Sequence, residues 1–386
     1  MFKIIPRYQS SNSWRDLFKS LSFLLKDSED SFSSNLRDYF KVDSCFLVPS
    51  GRYALYLILK TLNVKTMTLP AYTCNVILPP FFISGAIPDF CDVSLETFNM
   101  EPENIQTNAK YILATHQYGF PCRIDEIIEQ HPDKVIIEDA APAFGATYNE
   151  QKVGTFSDIS FFSFQKSKII TTWNGGCLLV NDERLAKEFE KNIPKINKRI
   201  FSNFKIFLKL VGYKTLTNKY AYYFAFNIWL KLNKTYTKDS EFNKNSLGDL
   251  TYTKYQAELG LNELKKIDSI LKKRREVAYF YYKKLKDNEN VKIPQINKGA
   301  VPSFERVPIL VNNKMEVYKE LLKNGIDSGF TFSYNCAEQY SSQNQGIFKN
   351  TDYIAEKVLC LPIQNINKED AKKIVDSLNM VFEKRK

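Results

Sequence analysis

Residues 161–176 read Phe-Phe-Ser-Phe-Gln-Lys-Ser-Lys-Ile-Ile-Thr-Thr-Trp-Asn-Gly-Gly. One apolar run, Ile159–Phe162, enters this stretch, and a second, Cys177–Val180, leaves it. Between them lie a hydroxyl (Ser163), a lysine (Lys168) and a glycine pair (Gly175, Gly176). Two buried strands with a lysine-bearing polar connection are a means of holding one amine against a bound ligand. Lysine suits that task because desolvation, or a nearby cation, lowers its pKa and frees the neutral amine to attack carbonyls. The competing reading is an ordinary surface lysine between two strands.

The segments upstream favour the first reading. Cys45–Val48 is a short apolar run that ends at Pro49-Ser-Gly-Arg-Tyr53, and Ala54–Leu62 continues with helical spacing. Ser50 fits a helix N-cap. A Ser-Gly turn that opens a helix also offers free N–H groups and the positive end of the helix dipole, an anion seat. Thr66–Leu69, Ile87–Cys91, Tyr111–Thr115 and Val135–Ile137 read as further strands, with helices through Phe82 and over Ile124–Gln130 between them. Pro88 marks Ile87–Cys91 as the weakest of these strands. Alternating strands and helices predict an α/β domain with a mainly parallel sheet, whose ligand sits beyond the carboxyl ends of the strands. Ser50, Tyr72, His116 and Asp139 all fall at such ends. Asp139 reads equally as a buried acid facing a ligand and as the cap of the turn that follows it. A phosphate seat, an amine and a buried acid together suit pyridoxal phosphate: the lysine holds its aldehyde, and the acid keeps its ring nitrogen protonated.

Length and composition set the frame. The 386 residues, 44% hydrophobic and 14% aromatic, suffice for one large domain and a smaller one. No apolar run reaches the ~18 residues of a membrane span, and residues 1–9 lack the pattern of a secretion signal, so a cytoplasmic protein is expected. Seven scattered cysteines and two histidines make a metal site unexpected. The net charge of +11 is local: Lys191 to Lys238 contains eleven Lys/Arg and no Asp/Glu, while the remainder balances at 43 of each sign. This segment reads as a helical hairpin, with one arm around Phe204–Val211, a break at Gly212 and a second arm over Tyr220–Leu232. It is open to three readings: packing on the body or a dimer partner, docking at an anionic membrane surface through Phe204, Phe207, Tyr223 and Trp229, or nucleic-acid binding. The neutral body argues against nucleic acid as a partner of the whole protein.

Taken together, Ser50-Gly51, Leu69-Pro-Ala-Tyr-Thr73, His116-x-Tyr-Gly119, Glu138-Asp139-Ala-Ala141, Val153-Gly-Thr-Phe156, Phe162-Ser-Phe-x-x-x-Lys168 and Gly175-Gly176 resemble, in order, the DegT/DnrJ/EryC1/StrS aminotransferases. Gln256–Leu261 and Leu361-Pro-Ile363 extend the resemblance over roughly residues 45–380, apart from the basic segment. It implies an α/β, fold type I pyridoxal phosphate-dependent transferase (aspartate aminotransferase-like). Residues 1–250 would form the large cofactor-binding domain, with the basic aromatic insertion at about 191–245. Residues 251–386 would form the smaller α+β domain. The resemblance further implies a homodimer that aminates a keto sugar, in most cases nucleotide-linked, with glutamate as donor, for a surface glycan. Lys168 would be the catalytic lysine, with Lys166 its only rival in the loop. Asp139 would hold the ring nitrogen; Ser50, Gly51, Arg52 and Ser163 would seat the phosphate; His116 and Tyr118 would lie near the ring or the substrate. Three positions depart from the family's pattern. Cys74 replaces a ring-stacking aromatic, a role that would pass to Tyr72 or another aromatic; Pro142 replaces Gln or His; and Asp249 replaces an Asn that reaches the partner subunit, leaving Asn245 or Lys254 for that role. The alternatives are a sugar dehydratase, against which Lys168 weighs, and a cofactor-binding protein without turnover.

Overall fold

The structure, a computed structural model, describes residues 3–25, 28–233, 243–341 and 346–383. Its centre is a seven-stranded sheet of β1 (Ser44–Val48), β2 (Thr66–Pro70), β3 (Ile87–Cys91), β4 (Tyr111–Thr115), β5 (Val135–Asp139), β6 (Ile159–Ser163) and β7 (Gly176–Val180), in the spatial order β1-β7-β6-β5-β4-β2-β3. All run parallel except β7, which is antiparallel to both neighbours. Pro88 is tolerated because β3 is the edge strand, where a missing N–H leaves no central ladder broken. Helices α1 (Trp14–Lys19), α2 (Ser28–Phe40), α3 (Gly51–Thr61), α4 (Leu78–Ser84), α5 (Ile124–Gln130) and α6 (Glu183–Glu190) accompany the sheet. Leu55, Ile58 and Leu59 of α3 pack into one core with Leu69, Leu113, Ile137 and Phe161 from the strands.

The carboxyl ends of β1, β2, β4, β5 and β6 and the amino end of β7 share one edge of the sheet. There the backbone packs against itself. A Cβ on Gly176 would lie 2.3 Å from the Phe162 carbonyl oxygen and 2.9 Å from the Gly51 nitrogen. Ser50 forms a single parallel bridge with Gly175.

The expected helical hairpin is present as α7 (Ile200–Leu216) and α8 (Lys219–Asn233). Gly212 does not break α7, which runs on to Leu216. One glycine costs a helix about 1 kcal/mol, and flanking contacts outweigh that here. Ile206 and Leu210 pack against Leu17, Phe23, Tyr255 and Leu259, and Asn203 accepts the Tyr255 N–H at 2.7 Å. In α8, Tyr222 donates to Asp327 at 2.6 Å and Lys219 pairs with Asp370. The inner faces of both arms are therefore spent on the chain's own body. Of the outer apolar residues expected, Phe204 faces outward and Phe207 does not. Phe207 is packed edge-on against Phe18 and Tyr255, whereas Phe201 (82% exposed), Phe204, Leu208, Tyr220, Phe224 and Ile228 face outward. The Trp229 side chain lies outside the described residues.

The stretch Tyr255–Lys286 has the pattern of one long helix but forms two, α9 (Lys254–Leu264) and α10 (Ile267–Leu285). At the turn between them Lys266 reaches Asp16 at 2.6 Å and the buried Glu263 at 3.0 Å. Ala257, Leu261 and Leu264 of α9 pack with Phe32, Leu36 and Phe40 of α2. Val291–Ile293 alternates as a short strand would but makes only one bridge, Lys292 with Leu310, just before Pro294. The two-stranded ribbon β8 (Val307–Leu310) and β9 (Val358–Leu361), helices α10 and α11 (Lys314–Lys323), and the closing helix Lys368–Glu383 enclose a second core. The first residues of the chain join it: Ile5 bridges Ile326, and Arg7 clasps Asp327 with two hydrogen bonds of 2.7 and 2.9 Å. No helix among the described residues is long and apolar enough to cross a membrane.

The crowding at Gly176 is testable. Gly176→Ala should lower unfolding free energy by about 1–3 kcal/mol in urea titrations, the usual cost of overpacking. Gly212→Ala, where nothing lies within 4 Å of the added methyl, should stabilise α7 by about 0.5–1 kcal/mol.

Candidate active site

Each strand end delivers one group to the edge of the sheet. After β1, Ser50 is extended and its hydroxyl accepts the Tyr53 N–H at 3.0 Å, capping α3. The absent side chain of Gly51 leaves room for Ser163 at the end of β6; a Cβ on Gly51 would sit 3.1 Å from the Ser163 Cβ. Ser163 thus lies against the first turn of α3, and its hydroxyl makes no hydrogen bond among the described residues. A helix start beside an unengaged hydroxyl is an anion seat.

Lys168 follows in the loop between β6 and β7. Its Nζ is 3.1 Å from Oε1 of Glu305, and its side chain is 14% exposed. Asp139, at the end of β5, is buried, and its carboxylate accepts the Ala141 N–H at 3.1 Å. Burial pushes the Asp139 carboxyl up to about 6, against the opposing pull of the Lys168 ammonium. Asp139 is thus buried and also caps the turn that follows it. Cys74 lies in the same electrostatic neighbourhood: burial raises its thiol, and Lys168 is the largest opposing influence. Lys166, the rival amine, lies over the rings of Trp173 and Tyr213 at 5.6 and 5.7 Å.

Tyr72 and His116 stand behind the site. Tyr72 is 0% exposed, and its hydroxyl shares a 2.6 Å hydrogen bond with Tyr118, which donates in turn to the Thr331 carbonyl at 3.0 Å. It belongs to the second core, so it does not replace the aromatic missing at Cys74. His116 is also fully buried; Nδ1 accepts the Cys122 N–H at 3.2 Å, and Nε2 lies 3.2 Å from Glu138. With Nδ1 occupied as an acceptor, the ring proton sits on Nε2 and is donated to Glu138. His116 frames the cleft and presents no surface to it. Arg52 donates to the Ser246 carbonyl at 3.0 Å, so its side chain ties down the 246–248 segment rather than pointing at the seat. Asp249 is exposed and accepts from its own neighbour Thr251.

Three participants went unread in the sequence. Glu138 accepts the N–H groups of Gly154, Phe156 and Ser157 and so fixes the loop before β6. Glu305 and Arg306 reach the site from the opposite side. Phe304 adopts φ +51°, uncommon for a bulky residue, and turns the chain there. Arg274 clamps the turn by donating to the carbonyls of Phe304 and Glu305 at 3.1 and 2.8 Å. Gly119 permits the approach, since a Cβ on it would lie 2.9 Å from the Glu305 nitrogen. The signal was there to read: Glu305-Arg306 interrupts a run, Val301 to Val311, that is apolar apart from Ser303, and a buried run carries charges only when they are paired.

An amine in a loop facing a buried carboxyl, beside a helix start and a free hydroxyl at the edge of an open parallel sheet, defines the site class of a fold type I pyridoxal phosphate enzyme. The donor set fits that cofactor's aldehyde, ring nitrogen and phosphate. The model of the DegT/DnrJ/EryC1/StrS aminotransferase family matches residues 8–379. The chain is 27% identical over 302 residues to GDP-perosamine synthase from Escherichia coli O157:H7, covering 76% of this chain and 71% of that one. It is 26% identical over 383 residues to the UDP-4-amino-4,6-dideoxy-N-acetyl-beta-L-altrosamine transaminase of Campylobacter jejuni (serotype O:23/36, strain 81-176), covering 92% and 90%. Its fold matches the aminotransferase TlmJ from Streptoalloteichus hindustanus with a TM-score of 0.79 at 18% identity, over 99% and 100% of the two chains. The chain belongs to the DegT/DnrJ/EryC1/StrS aminotransferase family, and pyridoxal phosphate is its cofactor.

Asp139 makes the cofactor-free protein pH-sensitive. Its folded pKa lies above the unfolded value of 3.8, so the folded state holds the proton longer. Stability should fall as pH rises from about 4 to about 6, by roughly 3 kcal/mol in all, and level off above that. Asp139→Asn should remove this slope in urea titrations across that range. An unchanged slope would show that the buried acid titrates normally.

Proposed function

We propose that this enzyme transfers an amino group from an amino acid to the carbonyl of a nucleotide-linked keto sugar, making an amino sugar for a surface glycan. The observation that carries the reading is the Lys168 amine held 3.1 Å from Glu305 in the cleft that also buries Asp139. The activities named for the Escherichia coli and Campylobacter jejuni relatives support the substrate class. Bound pyridoxal phosphate supplies the electron sink. Lys168 anchors its aldehyde and, once released, moves the proton at the substrate carbon. Asp139 keeps the ring nitrogen protonated. Ser163 and the Gly51–Arg52 backbone, opened by the Ser50 turn, seat the phosphate. Glutamate serves as donor, and the working unit is a homodimer. The dehydratase alternative gives way because Lys168 is present. Incubating the holoenzyme with glutamate should bleach its visible absorbance, and a panel of keto sugar nucleotides should yield a new amine from one of them. Bleaching without any aminated sugar would leave an aminotransferase of another substrate class. Borohydride reduction followed by peptide mapping should tag Lys168, and a tag on Lys166 would reassign the anchor.

The outer face of the hairpin supports a second element of the proposal, contact with the inner face of an anionic membrane. Tyr220, Phe224 and Ile228 form one exposed stripe on α8, and Phe201, Phe204 and Leu208 form another on α7. The surrounding basic segment has no acids of its own, although Lys191, Lys198 and Lys219 pair with Glu188, Glu29 and Asp370 outside it. Apolar side chains at headgroup level, with unopposed lysines around them, suit that surface. The protein should sediment with anionic vesicles at low salt, much less at high salt, and not with neutral vesicles. Phe224→Glu with Ile228→Glu should abolish sedimentation. Loss of a dimer in the same variant would instead assign the face to a second copy of the chain.

A further inference from the structure

Several buried polar groups around Glu305 lack the partners that burial demands. Glu305 is 2% exposed; one carboxylate oxygen meets both Lys168 and Arg306, at 3.1 and 3.5 Å, and the other has no hydrogen bond among the described residues. Arg306 is 8% exposed. Its Cζ lies over Tyr8, 4.3 Å from the ring centre, and its Nε has no hydrogen-bond partner among the described residues. Gln364 is 4% exposed, and neither its amide oxygen nor its amide nitrogen has a partner among the described residues. Arg306, Gln364 and Tyr8 line one narrow cleft with Thr331 and Cys360. The neighbouring buried arginines differ: Arg7 is spent on Asp327 and Tyr318, and Arg274 on two carbonyls. Unmade hydrogen bonds cost stability wherever water is excluded. A cluster of them beside the reactive amine marks a place that a ligand completes.

The chemistry of the ligand follows from the groups left over. A guanidinium edge and an amide N–H₂ are donors for a planar monoanion, a carboxylate. The Glu305 carboxylate next to them accepts from a cation. Lys168 and Arg306 meet the same Glu305 oxygen, so a cation seated in place of the Lys168 ammonium lies one short molecule away from the guanidinium. A carboxylate and an ammonium at that separation make an α-amino acid. A nucleotide-linked keto sugar carries its negative charge on tetrahedral phosphates and has no ammonium for Glu305. We propose that Arg306, assisted by the Gln364 amide, receives the α-carboxylate of the amino-acid donor, and that Glu305 receives its ammonium once the Lys168 amine is committed to the cofactor. The inference rests on the aminotransferase reading above and assigns the donor half of that reaction to Glu305, Arg306 and Gln364.

The two half-reactions separate the claims. Donor binding is read without turnover by calorimetric titration of holoenzyme with 2-methylglutamate, which lacks the proton that transamination removes. Arg306→Gln should weaken it by about 10- to 100-fold, the range for a lost hydrogen bond to a charged group, and Gln364→Leu by about 3- to 10-fold. Arg306→Lys should recover part of the loss. KM for glutamate should rise in parallel, while KM for the keto sugar shifts by less than about twofold. Gln364→Leu breaks no hydrogen bond within the described chain, so it should melt at or above the wild-type temperature; it decides the matter if the Arg306 variants misfold. Wild-type affinity for 2-methylglutamate in well-folded variants would overturn the assignment and leave the aminotransferase standing. A wild-type enzyme that takes an amino group from no amino acid would overturn both.

Discussion

Three stretches of backbone meet at Gly176 with no space for a methyl group: the end of β6, the start of α3 and the start of β7. The rest of the site depends on that contact. It holds the first turn of α3 against Ser163, so the anion seat is made from two segments more than a hundred residues apart. It also fixes both ends of the loop that carries Lys168. A side chain at any of the meeting points would spread the strands and move the amine away from Asp139. Gly175 serves the same contact from the next position. Its φ of +112° and the Tyr252 ring, 2.2 Å from where its Cβ would be, exclude other residues.

The site carries a concentration of charge that the fold alone would not retain. Asp139, Glu305, Lys168 and Arg306 are removed from bulk water within a few residues of one another, and each such removal costs several kcal/mol before pairing offsets it. Hydrophobic residues of the same volume would hold this edge of the sheet at least as well. Backbone strain accumulates at the same place: Tyr118 and Phe304, on the two facing segments, both have positive φ. Clamps lie nearby. Glu138 binds three N–H groups of the loop before β6, and Arg274 binds two carbonyls of the Phe304 turn. Strain that is fixed from several sides is characteristic of sites where geometry matters more than stability.

The sheet was legible because its strands are short apolar runs punctuated by Gly, Pro and capping residues, a local pattern. Lys168, Asp139 and Ser163 were legible because they sit where those runs end. What failed was nonlocal. Tyr72 follows a strand as a ligand-facing aromatic would, yet the second core folds over it, and no spacing rule records that. The break at Lys265–Lys266 depends on Asp16, some 250 residues away. Glu305 was missed because it arrives from the far side of the cleft on a segment whose left-handed turn at Phe304 carries no glycine to announce it. The hairpin was readable as two helices, but which aromatic faces outward depends on how α7 rolls onto Tyr255.

The clasp of Arg7 on Asp327, and the bridge of Ile5 to Ile326, have a consequence for the order in which this protein matures. A ribosome makes Ile5 and Arg7 some three hundred residues before the surface that receives them. They must wait, unpaired, while the central sheet assembles between them and their destination. The second core is therefore closed by a segment made long before the rest of it. A fragment cut at the start of α9 would carry Asp327 without its guanidinium, an uncompensated buried acid, and would lack one wall of its own core.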